Sequence, residues 1–251
     1  MTFRIGTWNL QLPVAEKRRS AMRLHTDQEN ADIWVLTETH DGFSPGHEFH
    51  HSSLSGRDGG NGTAHRWVSI WSKHRLEKLD TTDRKRTAAV RVIPANAAPY
   101  LVYGTVLPWK GDNWEGNPSA GGLAFKKALE TQFHDWVALQ KAYPADEFFL
   151  LGDFNQDLVS QPRYYGSLSN RQALEVALEK AGLKAITSEA NDPIRRDSYP
   201  CACIDHICIK TDSQWTLDTT NRWPNRDTPD RAISDHFGVA ATLSRAGTSA
   251  F

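Results

Sequence analysis

Apolar residues fall along this chain in short β-rich runs that alternate with longer amphipathic ones. Residues 3–10, 33–36, 67–71, 88–93, 100–106, 148–151, 204–209 and 237–243 are rich in Val, Ile, Phe, Trp and Leu and predict strands. Residues 15–30 carry helix formers, with Ala21, Met22 and Leu24 expected on the inner side. Residues 123–143 place Phe125, Leu129, Phe133, Trp136, Val137 and Gln140 at three- and four-residue intervals, the stripe that packs a helix on a sheet. Residues 172–181 predict a third helix, closed by Gly182 at its C′ position. Residues 40–62 and 110–122 are loops by their Gly-rich, polar composition. The strands at 67–71, 88–93 and 100–106 have the spacing of antiparallel neighbours. So many hairpin-joined strands argue against a plain doubly wound fold. The expectation is an α/β protein with two packed, mainly antiparallel sheets and helices outside.

Composition narrows the picture. The 251 residues are 39% hydrophobic and 24% charged, so a sizeable core is expected and disorder is not. With 29 basic against 30 acidic side chains, whole-surface attraction to nucleic acid or an anionic membrane is excluded, though a local basic groove is not. No stretch approaches the roughly 20 apolar residues that cross a bilayer. Cys201, Cys203 and Cys208 are too few and too clustered for a disulfide framework or a zinc site, and Cys201 and Cys203 would share one face of a strand. They read as reduced thiols of a cytoplasmic protein. No repeat or linker divides the chain, so residues 1–251 are expected to form one domain, ordered to 246 with a short C-terminal tail, and monomeric.

Candidate chemistry sits where apolar strands end. Asn9, Glu38, Asp153 with Asn155, Asp205 with His206, and Asp235 with His236 all occupy such positions. Taken singly, each has a structural reading: a cap, an Asx-turn or a loop stop. Taken together, five strand ends bearing Asp, Glu, Asn or His form a pattern. Clustered carboxylates raise one another's pKa values unless a cation neutralises them. Oxygen donors with little His and no Cys suit a hard ion such as Mg2+ or Mn2+.

The ordered set Thr7-Trp8-Asn9, Thr37-Glu38-Thr39, Gly152-Asp153-Phe154-Asn155, Ile204-Asp205-His206 and Ser234-Asp235-His236 resembles the endonuclease/exonuclease/phosphatase superfamily. That family includes abasic-site endonucleases, deoxyribonuclease I-like nucleases, sphingomyelinases, inositol-polyphosphate 5-phosphatases and RNA deadenylases. The resemblance runs from residue 9 to residue 236 and implies a four-layered α/β sandwich with its site at one end of the sheets. It implies Glu38 as the principal metal carboxylate, Asn9 as a nearby ligand or supporting group, and Asp235 as a carboxylate near the metal. Asp153 and Asn155 match the pair that positions or activates water. His236 matches the histidine on the scissile phosphate, and Asp205 the acid that holds it.

The chain departs from many relatives in one place. No tyrosine or histidine follows the strand at 100–106, where Leu107-Pro108-Trp109 stands instead; Lys110, Trp114 or a residue of another loop is left to take that place. Arg86, within Arg84-Lys85-Arg86 just before a strand, either lies near the site or, the favoured reading, is part of a solvated charge run. The run His47-Glu48-Phe49-His50-His51 matches no zinc spacing. Consecutive Ser234, Asp235 and His236 cannot form a hydrolase relay, and no nucleophile elbow is present. Trp34, Trp67, Trp71 and Trp136 are expected in the core. Trp109, Trp114 and Trp223, in loops beside basic residues, either stack on bases or anchor the loops. Lys17-Arg18-Arg19 and Arg195-Arg196 either grip phosphates or are surface charge.

The function expected from these residues is metal-dependent hydrolysis of a phosphate ester, with a phosphodiester in nucleic acid as the leading substrate. A small or lipid phosphate is the first alternative, and a non-catalytic binding domain on the same scaffold the second.

Overall fold

The computed structural model describes residues 2–55, 64–160, 164–195, 201–224 and 232–245. Its first sheet is built from β1 (Thr2–Asn9), β2 (Ile33–His40), β3 (Phe49–Ser52), β4 (His65–Ser72), β11 (Trp215–Trp223) and β12 (Gly238–Arg245). The order is β11-β12-β1-β2-β4-β3. The second holds β5 (Arg75–Leu79), β6 (Thr87–Ile93), β7 (Tyr100–Val106), β8 (Glu147–Asp153), β9 (Leu183–Ala185) and β10 (Asp205–Lys210), in the order β5-β6-β7-β8-β10-β9. At the centre of each sheet lies a parallel pair, β1 with β2 and β7 with β8; every other pairing is antiparallel. Parallel neighbours need a crossover, and helices provide both. One is α1 (Glu16–Glu29) between β1 and β2; the other is α2 (Leu123–Ala142) between β7 and β8.

Side-chain alternation assigns three apolar layers. Ile5, Ile33, Val35, Phe149, Leu151, Ile207, Ile209, Val239 and Ala241 pack between the sheets. Trp8, Trp34, Leu36 and Met22 fill the space under α1. Phe125, Leu129, Trp136, Phe148, Leu150 and Leu174 join the second sheet to α2 and to α3 (Leu168–Lys180). The result is a four-layered α/β sandwich, as the strand pattern and the resemblance imply. Ser167 caps α3, its side chain accepting from the Asn170 N–H, and Gly182 follows the helix at φ 66.

Several elements differ from expectation. β4 lies in the first sheet, while β6 and β7 pair in the second, so the chain changes sheets before β5 instead of continuing one hairpin series. Leu24 and Val137 face solvent, at 64% and 41% exposure, because each lies off the buried stripe of its helix. β3 forms inside the stretch read as a loop, and β5, β9 and β11 carry too many polar residues for their apolar pattern to show. Cys201 and Cys203 precede β10 and share no strand; Cys203 donates to the Asp205 carbonyl. Trp223 ends β11 inside the core under α1 and is not in a loop. Residues 56–63, Arg196 and the tail from 246 lie outside the described residues. Among the described residues, no helix is long and apolar enough to cross a membrane.

Gly152 carries a specific steric demand. It adopts φ 139, and a Cβ there would lie 2.0 Å from the Thr105 carbonyl oxygen on the neighbouring parallel strand. Backbone cannot retreat as a flexible side chain can. Gly152→Ala is therefore expected to destabilise the protein by about 3 kcal/mol or more. Denaturant unfolding checks this; a loss under about 1 kcal/mol would show that β7 and β8 separate easily.

Candidate active site at the end of the sandwich

The two central parallel pairs end on the same side of the molecule, where an open sheet leaves its crevice. Parity decides what faces inward there. Along β1, Ile5 lies between the sheets and Asn9 falls on the same side two pleats later. Along β8, Phe149 and Leu151 lead to Asp153, and along β10, Ile209 and Ile207 lead back to Asp205. Asp205 and Asp153 are direct cross-strand partners. Three polar side chains thus close the apolar layer between the sheets, and Asn9, Asp153 and Asp205 are all buried.

Glu38 reaches this group by breaking the alternation. Its parity on β2 would send it beneath α1 with Trp34 and Leu36, but it adopts φ 47, an uncommon conformation for a non-glycine residue. Asn9 Nδ2 donates to Glu38 Oε1 at 3.3 Å and to Asp153 Oδ2 at 3.0 Å. Asn9 Oδ1 accepts from the Gln11 N–H at 2.8 Å, so the amide nitrogen faces the two acids. Asn155, at φ 50, donates its N–H to Asp153 Oδ1 at 2.9 Å and its Nδ2 to the Leu107 carbonyl at 2.9 Å. The Asx-turn and the site are the same structure.

On the other side, Asp205 Oδ2 meets His236 Nδ1 at 2.7 Å. His236 lies in a loop fastened to β1: Ser234 Oγ donates to the Asn9 carbonyl, the His236 N–H donates to Ser234 Oγ, and Trp8 Nε1 donates to the His236 carbonyl. Ligand-capable atoms of Asp153, Asp205 and His236 lie within 4.8 Å of one another. Asp235 is exposed and lines a cavity of about 310 Å³ with Asn155, Tyr165, Asp205 and His236. A second cavity, of about 240 Å³, opens at the opposite end of the strands near Phe3 and Tyr100 and holds none of the predicted site residues.

Burial and the neighbouring charge of Asp205 push the Asp153 carboxyl up to about 7, although His236, the Asn155 N–H and the Asn9 amide favour its ionised form. For His236, burial alone would lower the pKa. The charge and hydrogen bond of Asp205, helped by Asp153 and Asp235, outweigh it and raise the imidazole to about 10. The ring is therefore cationic at neutral pH, with Nδ1 committed to Asp205. A metal ion does not fit on that ring. It fits beside Glu38 and Asp153, whose oxygens converge on one amide and one of which bears a buried charge that a cation would relieve.

Other candidates fall elsewhere. His206 faces the opposite side of β10, fully buried, with Nδ1 at Thr187 and Nε2 at the Gln156 carbonyl, and burial lowers its pKa. Arg86 is buried, paired with Asp112 at 2.5 Å and stacked 4.5 Å from the Trp67 ring; it is not a solvated charge. Trp114 donates to Asp83 and Trp109 packs against the core, so both anchor loops. His47 bonds the Ala31 carbonyl while His50 stacks on Trp71, and they gather no metal set. Arg18, expected either to grip phosphate or to be surface charge, instead ties the β1–α1 loop to the His236 loop by donating to the carbonyls of Leu10, Gln11 and Ile233. Only the Ser234-Asp235-His236 motif gave any signal for Ser234. Nothing local marks Arg18.

A family model described as endonuclease/exonuclease/phosphatase family matches residues 6–236. No match is found among curated proteins. Solved structures share the fold. An endonuclease/exonuclease/phosphatase from Beutenbergia cavernae is 17% identical, with a TM-score of 0.67 over 98% of this chain and 72% of its own. A 3′–5′ exonuclease from Neisseria meningitidis is 18% identical, with a TM-score of 0.62 over 95% of this chain and 98% of its own. Beta toxin from Staphylococcus aureus, solved with bound magnesium ions, is 15% identical, with a TM-score of 0.63 over 96% of this chain and 99% of its own.

Asp153 leaves a thermodynamic signature. Its carboxyl titrates near 7 when folded but near 4 when unfolded, so the unfolded chain ionises first as pH rises. The penalty is absent below about pH 4, grows up to about pH 7 and then holds at roughly 4 kcal/mol before relaxation. In EDTA, Asp153→Asn is expected to raise Tm above wild type at neutral and alkaline pH, with the gain fading toward pH 4. Thermal melts across that range check it; a lower Tm for the variant throughout would mean that the carboxylate is adequately solvated.

Proposed function

Because the chain belongs to the endonuclease/exonuclease/phosphatase family, whose members are phosphoesterase hydrolases, we propose that it hydrolyses a phosphodiester with the help of a divalent metal ion. The observation that carries this reading is the pairing of a cationic His236 with Asp205 at 2.7 Å, within 4.8 Å of the basic carboxylate Asp153. Phosphoryl transfer asks the protein for charge relief on the phosphoryl oxygens and an aligned water, with little covalent chemistry. His236, its Nδ1 held by Asp205, presents Nε2–H to a phosphoryl oxygen. Asp153 is oriented by Asn9 and the Asn155 N–H to take the proton of the attacking water. Glu38 and Asp153 would hold Mg2+ or Mn2+, with Asp235 near the ion at the cavity rim and Asn9 orienting both inner carboxylates; when bound, the ion supplies Lewis acidity to the phosphoryl oxygens. The exonuclease among the structural neighbours supports nucleic acid as the substrate, as an analogy of fold.

The test is turnover of DNA, RNA and abasic DNA against inositol phosphates and sphingomyelin, with Mg2+, Mn2+ or EDTA. Cleavage of a nucleic acid that EDTA abolishes is expected. Turnover of only the small or lipid phosphates would overturn the nuclease reading, and no turnover of any ester would overturn the hydrolase reading. The pH profile follows from the two shifted groups: activity rises as Asp153, whose carboxyl stands at about 7 without metal, ionises, and falls as His236 loses its proton through about 10. Bound metal moves the acid limb lower. Asp205→Asn removes the main support for the imidazolium, so its alkaline limb should move to lower pH, while His236→Ala should abolish turnover with an unchanged circular dichroism spectrum.

A further inference from the structure

The reacting phosphoryl group would need hydrogen-bond donors besides His236, and the structure limits where they come from. Among the described residues, Arg86 is locked beneath Trp67 by Asp112, Arg18 spends its guanidinium on backbone carbonyls, and Asn155 Nδ2 is taken by Leu107. The polar lining of the site cavity also includes two adjacent tyrosines, Tyr164 and Tyr165.

Tyr165 is the one built in. Its N–H donates to Asp157 Oδ2 at 2.6 Å, and the Tyr164 N–H donates to the same oxygen. Asp157 is fully buried and faces Arg171, which also holds Glu175 of α3 and the Val159 carbonyl. The next residue, Gly166, adopts φ 84 with no room for a Cβ against the Gln156 side chain. Gln156 is fixed in turn, its carbonyl meeting His206 Nε2 at 3.0 Å. This sets the Tyr165 ring half-buried in the cavity, within the field of Asp153 and with its phenol beside the Lys110 backbone. Lys110 follows the strand after which no tyrosine or histidine stands.

We infer that the Tyr165 hydroxyl, delivered by the loop between β8 and α3, donates a hydrogen bond to the substrate's phosphoryl oxygen in the cavity shared with Asn155 and His236. This rests on the hydrolase reading above. A phenol keeps its proton at neutral pH, and burial together with the Asp153 charge favours that form further. Tyr164 is mostly exposed and lies at the rim, its ring centroid 6.4 Å from that of Tyr165.

Tyr165→Phe removes one oxygen and keeps the ring. With the ester the wild type cleaves best, it should lower kcat by about 10- to 100-fold with little change in KM, since the bond strengthens as charge develops on the phosphoryl oxygens. Tyr164→Phe should stay near wild type. An unchanged kcat in Tyr165→Phe, or an equal loss in Tyr164→Phe, overturns the assignment. A second measurement needs neither turnover nor a variant. Wild-type protein is treated with tetranitromethane with or without millimolar inorganic phosphate, and each tyrosine is read by peptide mass. Phosphate is expected to slow nitration of Tyr165 and leave Tyr164 unaffected; equal rates at Tyr165 with and without phosphate overturn the inference. If the wild type cleaves no ester, the hydrolase reading fails on its own, and the protection measurement still decides whether Tyr165 meets phosphate.

Discussion

Two carboxylates and an imidazolium packed on top of an apolar core form the constraint on which the rest of the structure turns. Asp205 and His236 satisfy each other, and their contact places a full positive charge where burial would otherwise forbid one. Asp153 receives only part of that charge. It sits directly across the ladder from Asp205, so the pairing that builds the sheet also holds two acids side by side. The apolar residues beneath them, among them Leu151, Ile207 and Val239, make the sheets rigid enough that the acids cannot move apart. Stability is spent here to keep an acid and a base in fixed relation.

Among the described residues, seven non-glycine residues adopt positive φ, and two of them serve the site. Glu38 at φ 47 and Asn155 at φ 50 both leave the strand conformation to bring a side chain or an N–H to the same cluster. The His236 loop is fixed by bonds to distant segments: Ser234 to Asn9, His236 to Trp8, and Ile233 to Arg18. These contacts carry no chemistry of their own. They decide where the imidazole stands, which is why the loop after one strand and the first strand of the protein act as one unit.

How much of this was legible in the sequence depends on whether the signal was local. Strands buried on both faces, such as β2, β7 and β8, announce themselves as apolar runs, and the acids Glu38 and Asp153 toward the ends of β2 and β8 are visible for the same reason. The edge strands β5 and β11 keep polar residues on their open faces and lose the pattern. Apolar periodicity fixed the axes of α1 and α2 but not their edges, hence Leu24 and Val137 in solvent. Within the site, the acids could be found one by one. Arg18 could not, because an arginine that bonds a carbonyl 215 positions away looks like any other surface arginine. Tyr165 was hidden for a related reason: its place depends on Asp157, Gln156 and the loop after β7, which meet only in the fold.

The contrast between Asp205 and His206 shows what parity adds to composition. The two are adjacent and both are buried, yet they belong to different layers. Asp205 shares its face with Ile207 and Ile209 and enters the site; His206 shares its face with Cys208 and becomes a strut beneath the Gln156 carbonyl. A one-residue slip in β10 would exchange them and present an imidazole to the cavity in place of the carboxylate that holds His236, with the acid driven into the helix layer. The charge pattern of the site therefore depends on strand register. That register is set by the same apolar alternation that packs the sheets, so in this protein the chemistry and the core are specified by one set of residues.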